Sequence, residues 1–233
     1  MNEFKFKQFT IKQNLCAMKV GTDGVLLGAW SNIPNGNVLD VGSGSGLISL
    51  MIAQRNASCE IDAIDIHKDA FLQTQENVNE STYSERIHVY HTAIQLFETT
   101  KKYDLIISNP PFFNNAYKST DLAKNIARHT DELPFDVFIE KVKELLTDDG
   151  ILSLILPIQE SLLFTELALK KRLHLNRKCW VKPNYEKESK RVLLEFSFSQ
   201  SEILDELLVI ETEKRHHYTE EYRNLTQDFY LKF

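Results

Sequence analysis

An asparagine followed by two prolines and an aromatic residue is the part of this sequence best suited to chemistry. Asn109-Pro110-Pro111-Phe112 follows the apolar run 105–107. Because proline cannot donate to a sheet ladder, the run is predicted to be a buried strand that ends at Asn109. Ligands of open α/β sheets bind beyond the carboxyl ends of the strands. The prolines fix φ and would hold the Asn109 side chain and the Pro110 carbonyl on a stiff loop.

Such a loop could act as a clamp for a planar amine. The exocyclic amine of adenine is a weak nucleophile because its lone pair is delocalised into the ring. If Asn109 Oδ1 and the Pro110 carbonyl accept its two N–H groups, the lone pair can point at an electrophile without a strong base. Phe112 would stack on the base, a contact worth about 1–3 kcal/mol. Taken alone, the motif is equally compatible with a turn that merely ends a strand.

A glycine-rich turn and a later acid point to a second ligand. Residues 37–48 read as a buried strand that turns through Gly42, Gly44 and Gly46 into a helix, with Asp40 just before the turn. Glycines let the backbone approach a ligand closely. The G-x-G-x-G spacing differs from the G-x-G-x-x-G of dinucleotide-binding proteins. Asp65 ends the next predicted strand, where an acid hydrogen-bonds ribose hydroxyls. Together these features predict a nucleoside-containing cofactor.

The elements that must position these residues alternate along the chain. Strands are predicted near 37–41, 60–66, 87–90, 105–107 and 151–156, and helices at 47–54, 68–79, 134–146 and 159–172, followed by a hairpin of 175–182 and 190–198. Alternation of this kind specifies a parallel sheet with right-handed crossovers. Thr22 or Asp23 could cap an earlier helix that runs to Trp30 and borders the cofactor pocket. The first twenty residues alternate aromatic and basic groups and predict a strand packed on the domain.

The amino-acid composition limits the classes of protein to which this chain can belong. The 233 residues are 42% hydrophobic and 26% charged, which fits one globular domain. The longest apolar runs are too short for a membrane span, and no signal peptide is recognisable, so a cytoplasmic protein without a membrane partner is expected. Three widely separated cysteines predict neither a disulfide framework nor a metal site.

The charge of the chain is unevenly distributed. The net charge is −6, yet residues 170–191 carry nine basic and two acidic residues, and residues 202–213 carry five acids and no cation. A localised basic face is what phosphate contacts require, although such runs are more often solvated surface. Residues 114–132 form a long polar segment beside Asn109, which could be a substrate clamp or a surface loop without a role.

The glycine turn, Asp65 and the Asn109-Pro110-Pro111-Phe112 motif together resemble the class I methyltransferases that use S-adenosylmethionine. Residues 18–30, 106–112, 127–129 and 218–233 narrow the resemblance to the bacterial tRNA1(Val) adenine-37 N6-methyltransferase family. The resemblance implies a Rossmann-like α/β fold with a seven-stranded, mostly parallel sheet, one antiparallel edge strand and helices on both faces. It also implies a single domain over 1–233, with an N-terminal arm and helix (1–36), a core sheet (37–200) and a C-terminal extension (201–233).

The same resemblance implies roles for individual residues. The cofactor would be bound by residues of the helix entry, the glycine turn and the ends of the strands: Gly21, Thr22, Asp40, Gly42, Gly44, Gly46, Asp65, Ile66, Thr92, Ala93 and Asn109. Many relatives have an acid where this chain has Ala93, so the adenine amine of the cofactor would bond to backbone or to Thr92. The target amine would be held by Asn109, Pro110, Pro111 and Phe112. Substrate contacts are expected from seven basic residues: Lys118, Lys124, Arg128, His129, Arg172, Lys182 and Lys190.

The implied activity is methylation of the N6 amine of adenine 37 in the anticodon loop of a valine tRNA, by a monomeric enzyme without a metal. Three alternatives stay open. The planar amide of a protein glutamine would satisfy the same Asn-Pro-Pro clamp, as in release-factor methylation. A nicotinamide-dependent oxidoreductase would share the glycine turn but not its spacing. A tRNA-binding module without catalysis would need only the basic face.

Overall fold

A computed structural model describes residues 3–110 and 133–232. Ten strands are present in these ranges: β1 (Glu3–Lys5), β2 (Thr10–Lys12), β3 (Gly36–Val41), β4 (Cys59–Asp65), β5 (Ile87–His91), β6 (Tyr103–Ser108), β7 (Leu146–Pro157), β8 (His174–Asn184), β9 (Arg191–Ser197) and β10 (Leu204–Glu211). Six α-helices accompany them: α1 (Thr22–Trp30), α2 (Leu47–Arg55), α3 (Lys68–Asn79), α4 (Phe135–Leu145), α5 (Ile158–Lys170) and α6 (Glu220–Thr226). The predicted α/β alternation is confirmed.

Eight strands form the central sheet, in the order β10-β8-β9-β7-β6-β3-β4-β5. Within the group β3 to β7 all neighbouring strands are parallel, and α2, α3 and α4 lie in three of the four connections that return the chain across the sheet. β9 is antiparallel to both β7 and β8. The sheet is therefore parallel except for one strand, as expected.

Two details of the predicted sheet are wrong within the described ranges. The sheet has eight strands instead of seven, and the antiparallel strand β9 lies inside it instead of at its edge. β10 supplies the additional edge strand and pairs in parallel with β8. Its acidic residues meet basic residues of β8, in the pairs Asp205–Lys178 and Glu206–Arg177, both at 2.8 Å. The acidic stretch 202–213 thus contains β10, whose acids pair with basic residues of the neighbouring strand β8.

Helices cover both faces of the sheet, as predicted. Successive residues of a strand point to opposite faces, and in β3 Val38 belongs to one core cluster and Leu39 to the other. The first cluster includes side chains of α1, α2 and α6. The second includes side chains of α4 and α5. In the described ranges no helix is both long and apolar enough for a membrane span.

The N-terminal residues form a short antiparallel hairpin of β1 and β2, in which Phe4 is paired with Ile11. Phe6 and Phe9 follow and are buried, and Phe6 stacks on Tyr230 near the end of the chain, with ring centroids 5.9 Å apart. The predicted N-terminal strand packed on the domain is confirmed.

The start of α1 differs from its prediction. Gly21 occupies the position before the helix, and no side chain caps it. Asp23, a proposed cap, is instead bonded through Oδ2 to Arg191 Nε of β9 at 2.8 Å. This contact joins the first helix to the antiparallel strand.

Candidate active site

A cavity of about 420 Å³ opens at the carboxyl edge of the sheet. Its wall includes residues that follow four different strands: Gly42 after β3, Ile66 after β4, Thr92 after β5 and Asn109 after β6. Parallel strands end at one edge, so residues that lie far apart in sequence meet there. The structure thereby brings the predicted cofactor loop and the predicted amine clamp into one cavity.

The glycine loop after β3 is held from two sides. Asp65 Oδ2 accepts a hydrogen bond from Gly44 N at 2.9 Å, and Thr74 Oγ1 of α3 donates to Gly44 O at 2.9 Å. Gly44 has a φ of 59°, a backbone angle that residues with a Cβ rarely adopt. Gly42 and Gly44 line the cavity. Gly46 serves packing, because a Cβ there would lie 3.1 Å from Thr74 Cγ2.

Asp40 of β3 is fully buried. Its Oδ2 accepts hydrogen bonds from Ser49 Oγ at 2.6 Å and from Ser49 N at 3.2 Å. Its Oδ1 has no hydrogen-bond partner among the described residues. Burial raises the pKa of Asp40 to about 7, against the opposing effect of the Ser49 hydrogen bonds. A cation at Oδ1 would offset the cost of burying this charge.

Asp65 stands at the junction of the glycine loop and α3. Its Oδ1 accepts from His67 N at 2.9 Å, so both carboxylate oxygens bind backbone N–H groups. Each oxygen can accept a second hydrogen bond. The neighbouring Ile66 is 51% exposed and lines the same cavity. A carboxylate next to an exposed aliphatic side chain suits a ribose joined to a flat base.

The loop after β5 forms another wall. Thr92 and Ala93 line the cavity, and Thr92 N donates to Asp65 O at 3.0 Å. Thr92 Oγ1 donates to Ala93 O at 3.2 Å and can still accept from an amine. Gln95 also lines this wall and was not identified from the sequence. The amide oxygen of Gln95 is a further hydrogen-bond acceptor in this wall, where the side chain of Ala93 offers none.

Asn109 and Pro110 line the cavity at the end of β6. Ser108 Oγ donates to Val41 O at 2.8 Å and ties the end of β6 to that of β3. Gly24 of α1 lies beside Asn109, and a Cβ at Gly24 would be in van der Waals contact with Asn109 Nδ2 at 3.9 Å. The remaining predicted residues of this region lie outside the described residues: Pro111, Phe112, Lys118, Lys124, Arg128 and His129.

Two parts of the wall were missed in the sequence. Residues 15–18 line the cavity, whereas Gly21 and Thr22 start α1 and are not part of its described wall. Burial is the main cause that raises the pKa of Cys16 to about 11, with a contribution from Asp65. On another side lie Phe135 of α4 and Phe164 of α5, with ring centroids 5.1 Å apart. In the sequence, the aromatic residues of these amphipathic helices indicate only that the helices pack on a hydrophobic core. The fold shows that Phe135 and Phe164 also line the cavity.

In the described ranges the sheet is parallel except for one strand, and the acid that ends β4 holds the glycine loop after β3. These features define the class I methyltransferase fold. A predicted O-methyltransferase from Agrobacterium tumefaciens matches with a TM-score of 0.71 at 16% identity, over 89% of this chain and 96% of that chain. The chain belongs to the family of the tRNA1(Val) (adenine(37)-N6)-methyltransferases.

The family assignment depends on sequence comparison. The family model described as methyltransferase small domain matches residues 18–174. A tRNA1(Val) (adenine(37)-N6)-methyltransferase from Christiangramia forsetii is 44% identical over 98% of this chain and 98% of its own length. A glycopeptide N-methyltransferase solved with S-adenosyl-L-methionine shares the fold at a TM-score of 0.55 and 12% identity, over 78% of this chain and 90% of that chain. The predicted family and fold are therefore confirmed.

Proposed function

We propose that this protein transfers a methyl group from S-adenosylmethionine to the N6 amine of adenine 37 in the anticodon loop of a tRNA1(Val). The observation that carries the proposal is the common cavity of Asn109, Pro110 and the glycine loop. Relatives at 44% identity bear the name of this activity. Because the proposed substrate is a tRNA, we expect the reaction to take place in the cytoplasm.

The residues present fit the cofactor. The buried Asp40 Oδ1 lacks a partner among the described residues and would accept from the ammonium group of the methionine moiety. Asp65 keeps acceptor capacity for the ribose hydroxyls. Ile66 offers an apolar surface to the adenine, and Thr92, Ala93 or Gln95 offer acceptors to its amine. When bound, S-adenosylmethionine supplies a methyl group attached to a positively charged sulfur.

Asn109 and Pro110 would do the chemical positioning. The Asn109 Oδ1 and the Pro110 carbonyl would accept the two N–H groups of the target amine, which turns its lone pair out of the ring plane and towards the methyl group. Both acceptors are neutral, so the amine would lose its proton only as its nitrogen becomes positive. Catalysis of this kind comes mainly from holding two reactants in the reactive geometry, and a displacement of about 1 Å can cost roughly 100-fold in rate.

The substrate suits a site of this kind. An adenine in an anticodon loop is not base-paired, so its entry into the cavity costs less than extrusion from a duplex. Phe135 and Phe164 make the wall near the clamp aromatic, as a base requires. Phe112 stays a prediction as the stacking residue.

The test is methyl transfer from labelled S-adenosylmethionine to unmodified tRNA, with nucleoside analysis of the product and Asn109→Ala as the comparison. The proposal predicts N6-methyladenosine with the wild-type protein and a loss of about 100-fold or more with the variant, because the amine is no longer held. Binding of the cofactor by the variant shows that the fold is intact. Label that appears in protein but not in RNA would contradict the proposal and support glutamine methylation.

A further inference from the structure

The basic residues between positions 170 and 191 are distributed along β8 and beyond both of its ends. β8 is antiparallel to β9, which is antiparallel to β7, so β8 runs in the direction of β6 and ends at the edge where Asn109 lies. An 11-residue strand is roughly 35 Å long. Lys170 and Lys171, which precede β8, are therefore far from the cavity, whereas Lys182 and Lys190 are at its edge.

Acidic neighbours compensate most of these basic residues. In the middle of β8, Arg177 and Lys178 pair with acids of β10. At the far edge, Lys170 pairs with Glu166 at 2.6 Å, and Lys171 pairs with Glu140. The positive charge that the sequence places in one run is thus largely neutralised along the strand and at the edge remote from Asn109.

Lys182 and Lys190 form a different arrangement at the edge of the cavity. Val181 is the last residue of β8 that pairs with β9, opposite Arg191, and Lys190 N donates to Val181 O at 3.0 Å. Lys182 therefore follows the last paired residue of β8, and Lys190 precedes the first residue of β9. In the described part of the chain neither lysine forms an ion pair, and the only bond of Lys182 Nζ found there is to Tyr185 O at 3.3 Å.

This lysine pair lies on the face of the sheet where the base would enter. Alternate residues of a strand share a face, so Lys182 points to the same side as Trp180, which packs against the core cluster of α4 and α5. Lys190 borders a groove together with Ile158 of α5, which packs against the same cluster. Phe135 and Phe164, from the same two helices, line the cavity. The cavity and the lysine pair therefore share one face and one edge.

The distance from the clamp to this pair suits adjacent nucleotides. β6 adjoins β7, β7 adjoins β9 and β9 adjoins β8, so Lys190 is about two strand spacings, roughly 10 Å, and Lys182 about three spacings, roughly 14 Å, from the end of β6. A groove lined by Pro157, Gln159, Ser189 and Lys190 lies between. Apart from Glu160, the polar residues of this groove are donors or neutral groups, which a phosphate chain can cross.

We propose that Lys182 and Lys190 bind the phosphates of the nucleotides next to the target adenine, and that the groove beside Pro157 guides the RNA from this pair to Asn109. The inference rests on the proposed function and specifies which part of the basic segment contacts the RNA. Arg172, which lies at the far edge, makes no contact with the same RNA segment.

The test compares Lys182→Gln/Lys190→Gln with the charge-matched Lys170→Gln/Lys171→Gln. The affinity for unmodified tRNA1(Val) is measured at several salt concentrations, together with KM and kcat for methylation and the binding of S-adenosylhomocysteine. For the first variant we expect tRNA affinity to fall about tenfold or more and the salt slope to fall by about 1.5, the value for two lost phosphate contacts. Its kcat, its cofactor affinity and its Tm should not fall. The control variant should match the wild type within about twofold.

Equal tRNA affinity and equal salt slope in the two variants would overturn the inference. A wild-type protein that binds tRNA but does not methylate it would contradict the proposed function, and the comparison of the two variants would still decide the role of the lysine pair. A wild-type protein that does not bind tRNA would overturn both.

Discussion

The carboxylate of Asp65 holds the backbone of Gly44, with Oδ2 2.9 Å from the Gly44 nitrogen. Asp65 ends β4 and Gly44 lies in the loop after β3, and the bond fixes the shape of this loop, which would meet the cofactor. Because Oδ1 bonds to His67 N as well, one side chain links the glycine loop to the start of α3.

We predict that Asp65→Asn weakens cofactor binding. The new amide group places a donor against either Gly44 N or His67 N, and a buried N–H without an acceptor costs about 1–3 kcal/mol. The affinity for S-adenosylhomocysteine, measured by calorimetry, should fall about tenfold or more. Asp69→Asn is the control, since Asp69 lines the same wall but makes no hydrogen bond found in the described ranges. An unchanged affinity of the Asp65 variant would contradict this role.

The raised pKa of Asp40 predicts a pH dependence. Between about pH 4 and the folded-state pKa of about 7, the folded protein binds more protons at Asp40 than the unfolded chain does. The contribution of Asp40 to the free energy of unfolding therefore falls as pH rises through this window. Urea unfolding curves of wild type and Asp40→Asn, recorded across it, should show this slope only in the wild type.

Binding of the cofactor should lower the pKa of Asp40 and favour its ionised form. An ammonium group next to Oδ1 stabilises the carboxylate, so binding near pH 6 should release a proton, and affinity should fall about tenfold per pH unit of acidification. Calorimetry in two buffers of different ionisation enthalpy measures the proton. Identical heats in both buffers would exclude the assigned contact, and Asp40→Asn should show no release from this group.

Substitutions at Gly24 should separate stability from catalysis. A Cβ there would lie 3.1 Å from Leu47 Cδ2, which a small shift of a flexible side chain relieves, while Ala favours the helix by about 1 kcal/mol. Gly24→Ala should therefore leave Tm close to that of the wild type. Gly24→Val adds carbons towards Asn109, whose Nδ2 is 3.9 Å from the same position, and kcat should fall about tenfold or more. A Val variant with wild-type kcat would disprove the contact.

The buried Glu195 of β9 should matter for stability. It accepts from Asn32 N at 2.7 Å and from Asn32 Nδ2 at 2.8 Å, and Arg177 lies 3.5 Å away. Arg177 also stacks on Trp30, with its guanidinium carbon 3.9 Å from the ring centroid. Glu195→Ala leaves both Asn32 donors without an acceptor, while Arg177 keeps Glu206, and the free energy of unfolding should fall by about 1–3 kcal/mol. Glu195→Gln, which keeps an acceptor, should lose less. Urea denaturation distinguishes the two.

The succession of elements could be predicted from the sequence because hydrophobic periodicity and turn residues are local properties. The helix predicted at 68–79 has these bounds in the structure, and the hairpin predicted at 175–182 and 190–198 corresponds to β8 and β9. The position of β9 inside the sheet could not be predicted in this way. Strand order depends on which edges pair, and β10 completes the edge through charge pairs with β8 that join residues 25 or more positions apart.

The basic segment shows the same limit. Its composition indicated a phosphate-binding face, but the strand in its middle carries its two ends to opposite ends of the sheet, and acids from α1, β10, α4 and α5 pair with five of its nine basic residues. A sum of charges along the chain cannot include partners that fold against it.

By itself, the sequence determined the chemical groups of this protein: the amide and carbonyl of Asn109 and Pro110, the glycine turn and the acids Asp40 and Asp65. These depend on residue type and on short spacings, which a chain displays directly. Only the tertiary structure decided that all of these except Asp40 and Gly46 line one cavity, that residues 15–18 and the aromatic residues of α4 and α5 complete its wall, and which lysines stand beside it. The physical reason is that packing and charge pairing act between residues that are distant in the chain and adjacent only after the sheet has formed.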